Sequence, residues 1–176
     1  MLQVLNATRE AGLRVYYALH HRYRPGDYET WKYIAPVQKA AWVHKSFEYG
    51  TWGGEIRPGF EPKPGEIVAQ EHWGSSGFAN TDLDLQLKRH SIHKLIVIGL
   101  IEHTCVEATV RYGAELGYEV TMVKDATADY SDQEITPLST SISQTTPVPL
   151  CPQVRSSIRS LLSNLRQKRM TNPSSQ

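Results

Sequence analysis

Lys94-Leu-Ile-Val-Ile-Gly-Leu-Ile-Glu-His-Thr-Cys-Val-Glu-Ala-Thr109 decides how this chain is read. Leu95 to Ile98 is a short apolar run rich in β-branched residues. It is too short for a helix and has the composition of a buried parallel strand. Gly99 interrupts it, and a segment of helical character resumes near Cys105. A strand that turns into a helix presents the residue at the turn to the carboxyl edge of its sheet, where open α/β sheets bind ligands. Here that residue is a cysteine. A thiol at a helix start meets unpaired N–H groups and the positive end of the dipole. Both favour thiolate, and both can hold an oxyanion. A lone cysteine at such a place is also a common apolar filler.

Working outward, helix and strand patterns alternate. Leu2 and Leu5 share a face of an N-terminal helix that stops at Gly12, and Arg14–Leu19 follows as a strand candidate. The charge within residues 1–10 sets this start apart from a signal peptide. Ile67-Val-Ala-Gln70 is a second short strand. Leu83 and Leu87, four apart, mark a helix for which Thr81 is the expected N-cap, with Asp82 and Asp84 in the first turn at the positive end of the dipole. After the central unit the helix ends at Gly117, and Tyr118–Val123 alternates as a further strand finishing at Lys124-Asp125. This order predicts an α/β domain with a largely parallel sheet.

Between His20 and Glu66 the chain is loop-rich but carries Tyr28, Trp31, Trp42 and Trp52, so it should pack over the sheet edge, with a short helix within 28–42 broken before Pro36. Arg22, Arg24 and Lys32 could meet an anionic substrate or be ordinary loop charges. Residues 136–152 are Ser/Thr/Pro-rich without a period, and 156–169 could form a basic, weakly amphipathic helix or a disordered tail.

Composition narrows the function classes. The 176 residues make one domain by length, and 40% hydrophobic with 21% charged residues is a globular balance. A net charge of +1 gives no electrostatic footprint for nucleic acid, and no apolar run nears the ~20 residues of a membrane span. Two cysteines, Cys105 and Cys151, do not make a disulfide framework and suit a reducing, cytoplasmic compartment. His20 and His21 are adjacent and fall on opposite faces of a strand, while His90, His93 and His103 have no ligand spacing. We therefore expect no metal and no cofactor.

Several phrases occur in a telling order: Ser76-Gly-Phe-Ala-Asn-Thr-Asp-Leu-Asp84, then strand and Gly99, then Thr104-Cys-Val-Glu-Ala-Thr109, Leu116-Gly-Tyr-x-Val120 and Asp125-Ala-Thr-Ala128. Over about residues 2–134 the chain resembles the isochorismatase-like family of cysteine hydrolases. The resemblance implies a three-layer α/β/α fold with a largely parallel sheet, here without its first strand and its last helix–strand unit. It implies a hydrolase domain at 1–134 and a disordered tail at 135–176. It also implies hydrolysis of an amide or related C–N bond through a thioester, on a small-molecule substrate, in a protein that self-associates as a homo-oligomer. Cys105 matches the family's nucleophile. The oxyanion donors are then the N–H groups of Cys105 and Ile101, and a cis peptide is expected near Leu100–Glu102. The family's lysine belongs in a phrase like Val-Ala-Lys-Glu-His-Trp, where this chain has Gln70, and its aspartate belongs to the strand ahead of residue 2. His72 is the nearest titratable group to Gln70 and is expected to pack beside Trp73. The alternative implied by Gln70 is a catalytically inactive relative that keeps a ligand pocket or an oligomer surface.

Overall fold

The computed structural model describes residues 1–129, so the basic tail and Cys151 lie outside the described residues. Helix α1 (Leu2–Glu10) buries Leu5 and ends where Gly12 adopts φ +69°, a conformation that favours glycine. Strand β1 (Tyr16–Tyr17) pairs in parallel with β2 (Ile67–Val68), Tyr16 opposite Ile67. The regular pairing is short, yet the ladder runs on. Ala69 N–H donates to the Tyr17 carbonyl at 2.9 Å, His72 N–H to that of Leu19 at 2.9 Å, and His20 bridges His72. Most of the expected strand 14–19 is thus extended chain.

Between these strands lies α2 (Pro36–Val43), which differs from expectation. It starts at Pro36 instead of breaking before it, because a proline at the first helical position gives up an N–H that would be unpaired there. The loop around it does pack as its aromatics predict. Tyr28, 3% exposed, sits against Trp31, Trp42 and Trp73, and His21 stacks on Trp73 with ring centroids 3.6 Å apart. The Arg22 Nε donates to Glu71 at 2.6 Å, and Arg22 and Arg24 both lie over the Tyr49 ring, so these cations serve loop structure.

Helix α3 (Leu83–Arg89) has Asp82, not Thr81, at its N-cap. The Thr81 hydroxyl accepts the Leu83 N–H at 3.3 Å from one residue further out, and Asp82 turns instead to Gln86 Nε2 at 2.8 Å. Strand β3 (Lys94–Leu100) then pairs in parallel with β4 (Glu119–Ala128), joined through a π-helical turn (Glu102–Val106) and α4 (Glu107–Glu115). β4 runs past its expected end at 124–125. Its register breaks between Val97, which faces Met122, and Gly99, which faces Thr127, so residues 123–126 bulge opposite Ile98.

Among the described residues the sheet is two parallel pairs, β1–β2 and β3–β4, with no strand joining them. Both pairs nevertheless face one core. Ala69, Phe78, Leu83, Leu87, Val106 and Val110 cluster with Val120 and Met122, and Tyr16, Leu95 and Val97 pack against them. Alternation along β3 sends Leu95 and Val97 inward and leaves Ile96 and Leu100 50% and 59% exposed on the other face.

Candidate active site

At the carboxyl end of β3 the Leu100–Ile101 peptide bond is cis, inside the expected window. The chain then makes a widened turn. The Ile101 carbonyl accepts the Thr104 N–H at 3.2 Å and the Val106 N–H at 3.1 Å, the second spanning five residues. The helix therefore starts at Glu102, not near Cys105, and the cysteine sits within its first turn. Cys105 is half-buried. Thr104 Oγ1 lies 3.7 Å from its sulfur. The Ile101 N–H makes no hydrogen bond among the described residues.

Three tertiary contacts fix this turn. The Thr109 hydroxyl donates to the Cys105 carbonyl at 2.6 Å and accepts the Gly77 N–H at 2.9 Å, tying α4 to the loop after β2. The Asp129 side chain, fully buried at the end of β4, accepts the His103 N–H at 3.0 Å and faces His103 Nδ1 at 2.5 Å. It thereby caps the first turn from outside the helix. Glu102 is 0% exposed. Its Oε2 accepts the Thr127 hydroxyl at 2.7 Å, while Oε1 has no partner among the described residues.

Gln70 is exposed, just past β2, and its N–H donates to Asp82 Oδ1 at 2.7 Å. Hydrogen bonds from Gln86 and from that N–H hold the Asp82 carboxyl below its ordinary range, and the Lys88 ammonium and the Tyr118 hydroxyl do the same for Asp84. Both aspartates are accounted for by structure. His72 is buried, with Nδ1 2.7 Å from the Gly74 carbonyl, and burial pushes its pKa down. It meets His20 edge-on, and Trp73 is covered by His21 instead. His20 and His21 do face apart, towards Phe47 and towards Trp73. Among the described residues no three His, Cys, Asp or Glu side chains gather as a metal site, and no helix is long and apolar enough to cross a membrane.

Sequence reasoning gave no role to Glu102, Thr109, His103 or Asp129. The last two are 26 residues apart and meet only because β4 ends beside the turn. Glu102, His103 and Thr109 all lie inside the Lys94–Thr109 stretch, which was the one available signal.

The family model for the Isochorismatase domain matches residues 2–148, past the boundary expected at 134. The isochorismatase family protein YddQ of Bacillus subtilis is 39% identical over 47% of this chain and 45% of its own length. The ureidoacrylate amidohydrolase RutB of Caulobacter segnis is 33% identical over 70% of this chain and 56% of its own. The chain thus spans about half the length of the curated relatives it matches. Among solved structures, an isochorismatase family protein from Desulfovibrio vulgaris superposes with a TM-score of 0.70 at 24% identity, over 81% of this chain and 73% of that one. The N-carbamoylsarcosine amidase of Thermoplasma acidophilum gives 0.61 at 25%, over 80% and 75%. The three-layer parallel fold is theirs, and the chain belongs to the isochorismatase family.

Proposed function

We propose that this protein is a cysteine hydrolase that cleaves an amide or related C–N bond of a small molecule through a thioester on Cys105. The observation that carries this is the placement of a half-buried Cys105 in the first helical turn at the carboxyl end of β3, with the Ile101 N–H, four residues earlier, unpaired among the described residues. Attack by the sulfur on a carbonyl makes a tetrahedral oxyanion, which the N–H groups of Cys105 and Ile101 are placed in sequence to receive. Gln70, at the position of the family's lysine, offers an amide donor without charge. RutB and the Thermoplasma amidase are named for amide hydrolysis, which supports the same bond class. In this reading residues 1–134 are the catalytic domain, residues 135–176 an appended tail, and the enzyme is a cytoplasmic homo-oligomer that needs no metal, cofactor, nucleic acid or membrane.

Iodoacetamide labelling followed by peptide mapping tests the nucleophile. Cys105 should react at neutral pH about tenfold or more faster than Cys151, and equal rates would sink the reading. Ammonia release from ureidoacrylate and N-carbamoylsarcosine, lost in Cys105→Ala, tests the bond class. The neutral, exposed Gln70 favours a second reading, an inactive relative. In that case Cys105 reacts quickly with iodoacetamide and neither compound turns over.

A further inference from the structure

Two buried side-chain polar atoms have no partner among the described residues, the Tyr16 hydroxyl and Glu102 Oε1. Tyr16 packs against the core, edge-on to His90. Glu102 belongs to the turn that carries Cys105 and is fully buried. Buried polar atoms are nearly always satisfied, so an acid left with one bare oxygen calls for an explanation. The other carboxylates near the turn are occupied. Asp129 is engaged by His103, and Glu107 accepts Arg111 Nε at 2.7 Å. The Thr127 hydroxyl fixes Glu102 Oε2 and leaves Oε1 as the free end of an anchored acid. Cys105 stands three residues on in the same π-helical turn.

We propose that Glu102 is the proton-transfer group of the Cys105 site, an assignment that rests on the cysteine-hydrolase reading. Its carboxylate takes the thiol proton as sulfur bonds to the amide carbon. The resulting acid gives that proton to nitrogen as the C–N bond breaks and the amine leaves. In the second half it takes a proton from water as the oxygen attacks the thioester, and returns it to sulfur as the C–S bond breaks. The sum is amide plus water giving acid plus amine, with Glu102 and Cys105 restored.

An amine must be protonated to leave, whereas p-nitrophenolate leaves unaided, so paired probes separate this role from a structural one. The full chain would be assayed with p-nitrophenyl acetate and p-nitroacetanilide, which carry the same acyl group on oxygen and on nitrogen. Glu102→Gln keeps the volume and an oxygen for Thr127. It should lose about 100-fold or more of anilide cleavage. Ester cleavage and iodoacetamide labelling of Cys105 should slow by a clearly smaller factor, because they lose the proton acceptor for sulfur but need no proton on a leaving amine. Glu102→Asp, which keeps the acid on a shorter stem, should rescue part of the anilide reaction. Should Glu102→Gln fail to fold, the wild type still decides. Its solvent deuterium isotope effect should be larger on the anilide than on the ester, and equal effects overturn the proposal. Loss of both reactions by the same factor, or loss of neither, overturns it too while leaving the hydrolase reading intact. A wild type that cleaves neither probe and whose Cys105 resists iodoacetamide removes that reading itself.

Discussion

Gly77 shows how little room the site leaves. A Cβ there would stand 2.8 Å from the Ala18 Cβ and 3.4 Å from Thr109 Oγ1. Ala18 Cβ has no torsion with which to move aside, so the clash must be relieved by backbone. The Gly77 N–H also holds the Thr109 hydroxyl, which holds the Cys105 carbonyl. Gly77→Ala is therefore expected to destabilise the protein by about 1–3 kcal/mol, the usual cost of overpacking. It should also slow labelling of Cys105, because the strain is passed to the turn through Thr109. Urea unfolding read by fluorescence, with iodoacetamide rates alongside, checks both. A variant with wild-type stability and wild-type labelling would show that the loop yields freely, and Thr109 would not be a fixed strut.

At the scale of elements, α1 is attached by charge more than by apolar area, since Leu5 is its one buried residue. Arg9 grips Glu66, just ahead of β2, through Nε at 2.7 Å and Nη2 at 2.9 Å, and reaches the Tyr17 hydroxyl at 3.0 Å. These bonds, Arg9's first among them, lower the Glu66 carboxyl from 4.5 to about 2. A carboxyl with a depressed folded-state pKa binds its proton more readily in the unfolded chain. Its stabilisation is whole above pH 4.5 and drains away as pH falls towards 2. Both side chains are only about a tenth exposed, so solvent screens the pair weakly. Wild type should lose more melting temperature between pH 5 and pH 2.5 than Glu66→Gln does, with the two curves converging at the acid end. Parallel curves across that window would mean that α1 is held by something other than this pair.

For the molecule as a whole, what could be read in advance was what lies in local pattern. The β-branched run 95–98 is a strand, and Leu83 with Leu87 marks the buried side of α3, because burial imposes those periods within one element. The path of residues 20–66 could not be read, since it is set by rings 28, 31, 42 and 73 meeting across the loop. The π-helical turn has no local signature, and Asp129 reaches His103 only through tertiary placement. Nor does local pattern say which strand edges stay unpaired, so the division into β1–β2 and β3–β4 came from the structure alone. That division poses a test of cooperativity. Leu87, 2% exposed, belongs to the one core on which residues of both pairs converge. Leu87→Ala should cost about 2–5 kcal/mol. If the pairs open together, the variant should speed amide exchange equally, by about 30-fold or more, at two reporters. One is the Ala69 N–H, bonded to Tyr17 across β1–β2, and the other is the Glu119 N–H, bonded to His93 where β3 meets β4. Faster exchange at Glu119 alone would mean that the interrupted sheet unfolds as two units, with the shared core insufficient to couple them.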